Sequence, residues 1–390
     1  MISIGLEELA AAPPTWLKGK RLGLLCNQAS TDRFYRHSRE VVDGALPGQL
    51  NCLFSPQHGF FADRQDNMLE SGHTTDVLTG LPVFSLYGEK RKPDAAMLDH
   101  LDVLLIDLQD VGTRVYTFIW TMFYCLEAAV EEGKQVVILD RPNPIGGELI
   151  EGNLLADDCH SFVGLRSIPM RHGLTMGELA RLFNDHFGIG ADLVVVPMRG
   201  WQRGMNFRDT GFPWVFPSPN MPTPETALVY PGQVLWEGAN ISEGRGTCLP
   251  FELFGAPFID HAAFAAALAP ADLVGCILRP VAFEPTSNKF QGKLCRGFHL
   301  QVLDPNVFRP YRTSLALLRA VLELYGGEAG FAYKQPPYEY EFHKLPMDMI
   351  LGSSELRRGL ESGLRVAEME SGWQEELAGF ERLRREFMLY

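Results

Sequence analysis

DVLLIDLQD (residues 102–110) and QVVILDRPN (135–143) decide the fold: each is a run of consecutive apolar residues that stops abruptly at an aspartate. A strand with one wet face alternates apolar and polar residues. A run that is apolar at every position belongs to a strand covered on both faces, as in a parallel sheet with helices on either side. The same form recurs outward from these two stretches in RLGLLCNQ (21–28), LNCLFSPQHG (50–59), LPVFSLYGE (81–89) and DLVVVPM (192–198). Helix-compatible stretches lie between the runs at 117–133 and 175–187, the second opened by Thr175 and Glu178 at capping-box spacing. The pattern predicts an α/β domain over residues 1–205.

The texture changes at WQRGMNFRDTGFPWVFPSPNMPTP (201–224), which is too rich in Pro, Gly and aromatics to be a regular element. Residues 206–390 therefore read as a second, smaller mixed α/β domain that completes a cleft. Its expected elements are an alanine-rich helix at 261–268, strands at 274–279 and 297–303, and helices at 314–325 and 353–388, the last broken near Gly372.

Composition narrows the function. A formal charge of −13 and a pI near 5.3 repel phosphates, so no nucleic-acid partner is expected. No apolar run is long enough for a membrane span, and the first residues, MISIGLEELAAAPPTW, lack a leader's basic start and apolar stretch, which reads as cytoplasmic. The seven cysteines are scattered and never spaced C-x-x-C, pointing to reduced, buried thiols rather than a disulfide frame or a metal knuckle. No G-x-G-x-x-G or P-loop follows a strand and no G-x-S-x-G elbow occurs, so neither a nucleotide cofactor nor a serine nucleophile is called for; the expected cofactors and metals are none.

In an open parallel sheet ligands bind outside the carboxyl ends of the strands. Here those ends are strongly polar: Asn27 and Gln28; Ser55, Gln57 and His58; Tyr87 and Glu89; Asp107, Gln109 and Asp110; Asp140, Arg141 and Asn143. Amides, acids, an arginine and aromatics suit a polyhydroxylated ligand with a negative charge. They also suit glycosidic cleavage, in which a carboxyl group protonates the leaving oxygen. Any one of these acids could instead cap its own loop.

Four segments then resemble one family: LIDLQDVGTRVYTF (105–118), LDRPNPIGG (139–147), FPSPNMPTPETALVYPG (216–232) and ISEGRGTCLPFELFGAP (241–257) are similar to the NamZ family of bacterial exo-β-N-acetylmuramidases. The resemblance implies a Rossmann-like catalytic domain followed by an auxiliary domain. It also implies release of terminal N-acetylmuramic acid from peptidoglycan fragments, with an amino sugar or muropeptide as partner and a homodimer left open. The alternatives are a related hydrolase acting on another amino sugar and a non-catalytic muropeptide-binding protein.

Typical members carry their catalytic glutamate in a segment like S-P-E-H-G, where this chain has Gln57 followed by His58. The acid is then expected from Asp110 or Asp107, or from Glu70 in a loop that also carries Asp63, Asp66 and Asp76. Arg245 is the first choice for the lactyl carboxylate of muramic acid and Arg141 the second, because a guanidinium matches a carboxylate with two parallel hydrogen bonds. Asn27, Gln109, Arg114, Tyr116, Asp140, Asn143, Asn220, Glu237 and Glu243 complete the expected sugar-binding set.

Overall fold

The computed structural model describes residues 2–65, 68–327 and 330–390. Among the described residues the apolar runs form strands β1 (Leu22–Leu25), β2 (Leu50–Ser55), β4 (Pro82–Ser85), β5 (Val103–Ile106), β6 (Gln135–Leu139) and β9 (Asp192–Val196). With β3 (Thr74–Thr75) they make a seven-stranded sheet in the order β3-β4-β2-β1-β5-β6-β9. It is parallel throughout except for β3, which runs antiparallel to β4.

The central strands β1 and β5 carry no polar side chain because both of their faces are buried, whereas the edge strand β9 is only partly covered. Val103 and Leu105 join the core that holds Leu6 and Leu9 of helix Gly5–Ala11 and Val41 and Val42 of helix Ser38–Ala45. Leu104 and Ile106 join the opposite core, with Trp120 and Phe123 of helix Phe118–Glu131 and Leu179 of helix Met176–Arg181.

That second core runs on without interruption into the carboxyl-terminal half, where it includes Trp236, Phe254 and Leu317. There β10 (Leu253–Ala256), β11 (Cys276–Phe283) and β12 (Cys295–Val302) form an antiparallel sheet in the order β10-β12-β11. A separate antiparallel pair, β7 (Glu151–Leu154) and β8 (Pro169–Arg171), which the pattern does not predict, is inserted in sequence between β6 and β9 of the first sheet.

The expected break at Gly372 is corrected: helix Val366–Arg385 runs straight through that glycine, which faces open space. The break falls earlier, after helix Ser354–Glu361, where Gly363 takes a left-handed φ of 83°. The chain then folds back on the first sheet, and the Tyr390 hydroxyl donates to Asp140 at 2.8 Å while accepting from the Met198 amide at 2.7 Å.

Candidate active site

The structure sorts the polar strand ends into two groups. On the β5–β6 side they hold the architecture together. Asp107 receives the Arg141 guanidinium on both oxygens, at 2.6 and 2.8 Å, and Arg141 also donates to the Thr31 carbonyl. Asp140 accepts from the Thr175 hydroxyl and the Gly177 amide, both at 2.7 Å, and so anchors the start of the helix at 176. Asn143 donates to the Leu174 carbonyl, and Gln109 to the carbonyls of Asp110 and Pro142. Asp110 accepts from the Gly112 amide at 2.7 Å and faces the buried His172 ring at 3.3 Å. Asn27 donates to the Pro217 carbonyl, tying loop 216–220 to the end of β1.

Arg114 is buried completely and donates to four carbonyls, those of Asn153, Ile168, Ile350 and Leu351, at 3.0–3.1 Å. None of these residues lines the pocket described next. Asp107, Asp110, Asp140, Arg141, Asn143, Asn27, Gln109 and Arg114 are thus placed outside it, bonded to other parts of the chain.

On the β2–β4 side the ends open into a narrow, tightly lined pocket. Gln57 and His58, which follow β2, line it together with Tyr116, Thr117 and Phe118, which follow β5, and with Ser218 and Asn220 from the Pro-rich loop. Its far wall comes from the carboxyl-terminal half: Tyr230, Glu237, Arg245, Phe251, Tyr338 and Glu339. Five of the expected residues (Gln57, His58, Tyr116, Asn220 and Arg245) therefore meet here, and Glu237 makes a sixth. Glu70 is further out, in weak contact with the Tyr340 hydroxyl at 3.3 Å, and Asp66 lies outside the described residues.

The charged groups form a connected network. Arg245 donates to Glu237 at 2.6 Å, reaches Glu243 at 3.1 Å and lies over the Phe251 ring. Glu243 in turn receives Lys289 at 2.7 Å, and Tyr338 donates its hydroxyl to Glu237 at 2.7 Å. Burial pulls the Glu237 carboxyl up, but Arg245, with Tyr338 and Lys289, outweighs it and holds the group below its ordinary value. As it stands, the fork of Arg245 faces two glutamates rather than the pocket centre.

Glu339, which the sequence reading does not single out, is built in differently. The Gln57 amide donates to one of its oxygens at 3.0 Å and the Tyr87 hydroxyl to the other at 2.6 Å. The Thr117 hydroxyl, at the head of helix Phe118–Glu131, does not cap that helix; it donates to the Gln57 carbonyl oxygen, which turns the amide N–H toward Glu339. Burial raises the Glu339 carboxyl above the ordinary glutamate value, the two donors pull against that, and the negative charge of Glu237 adds to it.

The backbone here is strained. Tyr338 and Glu341 exchange both backbone hydrogen bonds, at 3.0 and 2.9 Å, across a two-residue turn. The central residues of that turn, Glu339 and Tyr340, have φ of 47° and 64°. Both left-handed conformations are ones that glycine or asparagine would adopt without strain. His58, on the facing wall, also has a positive φ of 72°.

Among the described residues no group of His, Cys, Asp and Glu is arranged to hold a metal ion. A doubly covered parallel sheet with a hydroxyl-, amide- and carboxyl-lined pocket closed by the carboxyl-terminal half defines a class of α/β protein able to hold a small polar ligand.

Comparison places the chain within that class. Residues 22–225 match the amino-terminal and residues 228–390 the carboxyl-terminal description of the exo-β-N-acetylmuramidase NamZ, and the chain belongs to that family. It is 42% identical over 390 residues to a peptidoglycan β-N-acetylmuramidase of Bacillus subtilis (strain 168), covering all of this chain and 91% of that one. Two crystal structures of DUF1343 family proteins from Bacteroides fragilis superpose over 100% of this chain and 99% of theirs. Their TM-scores are 0.88 and 0.75, at 33% and 28% identity.

Proposed function

We propose that this protein is a glycoside hydrolase that releases terminal N-acetylmuramic acid from peptidoglycan fragments, as the name of its Bacillus subtilis relative describes for that enzyme. The observation that carries the reading is the pocket at the β2–β4 strand ends, whose amide, hydroxyl, aromatic and carboxyl lining supplies what a sugar ring and a scissile glycosidic oxygen require. Its closure by residues of both halves suits an enzyme that takes one terminal sugar rather than a long strand.

The test is to incubate the purified chain with N-acetylmuramyl-β-1,4-N-acetylglucosamine and with a 4-nitrophenyl β-N-acetylmuraminide, following free N-acetylmuramic acid and nitrophenolate. Release from both substrates is expected, with none from the matching N-acetylglucosaminide. A folded protein inert on both muraminides overturns the proposal. Gln57 supports a second reading, a non-catalytic muropeptide-binding protein, which predicts calorimetric binding of N-acetylmuramic acid with no turnover.

A further inference from the structure

We infer that Glu339 is the catalytic acid of this chain, protonating the leaving oxygen from the strained turn while Gln57 and Tyr87 position its carboxyl group. The inference rests on the muramidase reading and adds to it the residue that does the chemistry. Of the two carboxyl groups on the described pocket wall, Glu237 is committed to Arg245 and Tyr338 and is held in its charged form, so it is a poor proton donor. Glu339 has no basic side chain within ion-pair distance among the described residues. Its two hydrogen-bond donors, an amide and a phenol, are both neutral. It is buried, yet it lines the pocket. Arg91 acts on it from a distance and pulls the other way, but burial outweighs that, and a carboxyl group shielded from water and free of an ion pair holds its proton at higher pH than an exposed one, as a general acid must. Both oxygens are gripped, so its direction is fixed.

The two left-handed residues give independent support. Non-glycine residues in this conformation cost on the order of 1 kcal/mol or more each, and such strain persists where the surroundings over-determine the geometry. Here it places the carboxyl of Glu339 against Gln57, a residue 282 positions away in the chain. Gln57 stands where the family resemblance expects a glutamate. An amide there donates no proton, but it can orient the neighbouring carboxyl that does.

In the reaction the bond from C1 to the aglycone oxygen breaks with its electron pair on that oxygen, which takes the proton of Glu339. The oxygen of a water molecule bonds to C1, and a proton from that water returns Glu339 to its acid form, so atoms and charge balance over the cycle. The groups that face Glu339 and tune it are Tyr87, Tyr230, Tyr338, Tyr340, Glu237 and Arg91.

The experiment compares wild type with Glu339→Gln on two substrates that differ in leaving group. The disaccharide leaves as a sugar alkoxide and needs the proton; 4-nitrophenolate leaves without it. Loss of the acid should lower kcat/KM on the disaccharide by about a hundredfold or more, the scale of general acid catalysis, and on the aryl glycoside by much less. Equal losses on both substrates would make Glu339 a structural tie and overturn the inference, as would full turnover of the disaccharide.

Tyr87→Phe is the second variant: it leaves the carboxyl in place but removes a donor that favours its charged form, so the basic limb of the kcat profile should move to higher pH. An unmoved limb counts against Glu339. A wild-type protein inactive on both substrates defeats the muramidase reading itself, and the inference with it, which separates that failure from loss of the acid alone.

Discussion

Replacing Arg114 by Met should unfold the protein more readily without changing how it binds sugar. The guanidinium is fully buried and carries no carboxylate partner among the described residues; its four hydrogen bonds go to carbonyls of three separate segments. Burial lowers its pKa to about 10, so it remains charged at neutral pH. Truncation leaves the Leu351 carbonyl partly satisfied, because Asn153 and Tyr311 also donate to it. The carbonyls of Asn153, Ile168 and Ile350 lose a donor, each at a cost of about 1–3 kcal/mol, offset in part by no longer burying a cation. A net loss of about 3–5 kcal/mol follows. With an unfolding entropy of roughly 2.1 cal/mol/K per residue, this corresponds to a fall in Tm of about 4–6 °C for a cooperative chain of this length. Urea titration and calorimetry measure the loss, and KM for the aryl muraminide measures binding. An unchanged Tm with a several-fold higher KM would refute the reasoning and return Arg114 to the substrate.

Three further outcomes follow from the geometry. Glu151 is buried in the β7–β8 hairpin, and burial raises its carboxyl from 4.5 to about 7. Between these values the folded state keeps a proton that the unfolded chain releases, so stability falls as pH rises through that window; in Glu151→Gln the urea midpoint should vary less between pH 5 and 8. Gln57→Glu sets a second carboxyl about 3 Å from Glu339, and two such groups share one proton, so the basic limb of the kcat profile should move upward; a limb that stays put shows the two are not coupled. Tyr390→Phe leaves the buried Met198 amide without its acceptor and should cost about 1–3 kcal/mol in chemical denaturation; no change would mean that the chain end adds nothing to the sheet.

The parallel sheet is legible because its central strands are buried on two sides and almost nothing polar interrupts them before their ends. The exposed pair Thr74–Thr75 and the hairpin around Glu151 and Arg171 carry no such signal; the first has no buried face, and the second buries charges where apolar residues would announce a strand. The site divides for a related reason. Gln57, His58, Tyr116 and Asn220 follow strands or sit in the conspicuous Pro-rich loop, so position along the chain is enough to nominate them. Asp107 and Asp110 have the same credentials, but Arg141 and Gly112 meet their carboxylates first, and pairing is not readable from one strand at a time. Glu339 comes from KQPPYEYEF (334–342), an ordinary-looking loop whose partner is 282 residues away. Only the three-dimensional closure reveals it.

The hairpin turn at Glu339 and Tyr340 has a consequence for anyone trying to make this protein hardier. A two-residue turn with both central residues at positive φ prefers Asn-Gly, and Tyr340→Gly relieves the strain at the second of them while leaving the carboxyl group in place. A change at Glu339 instead leaves the buried Gln57 amide and Tyr87 hydroxyl without their acceptor, so a heat-challenge screen would discard such clones even if sugar release were never scored. Libraries aimed at endurance can therefore be confined to Tyr340, because the hydrogen bonds that hold the carboxyl group also guard it against loss.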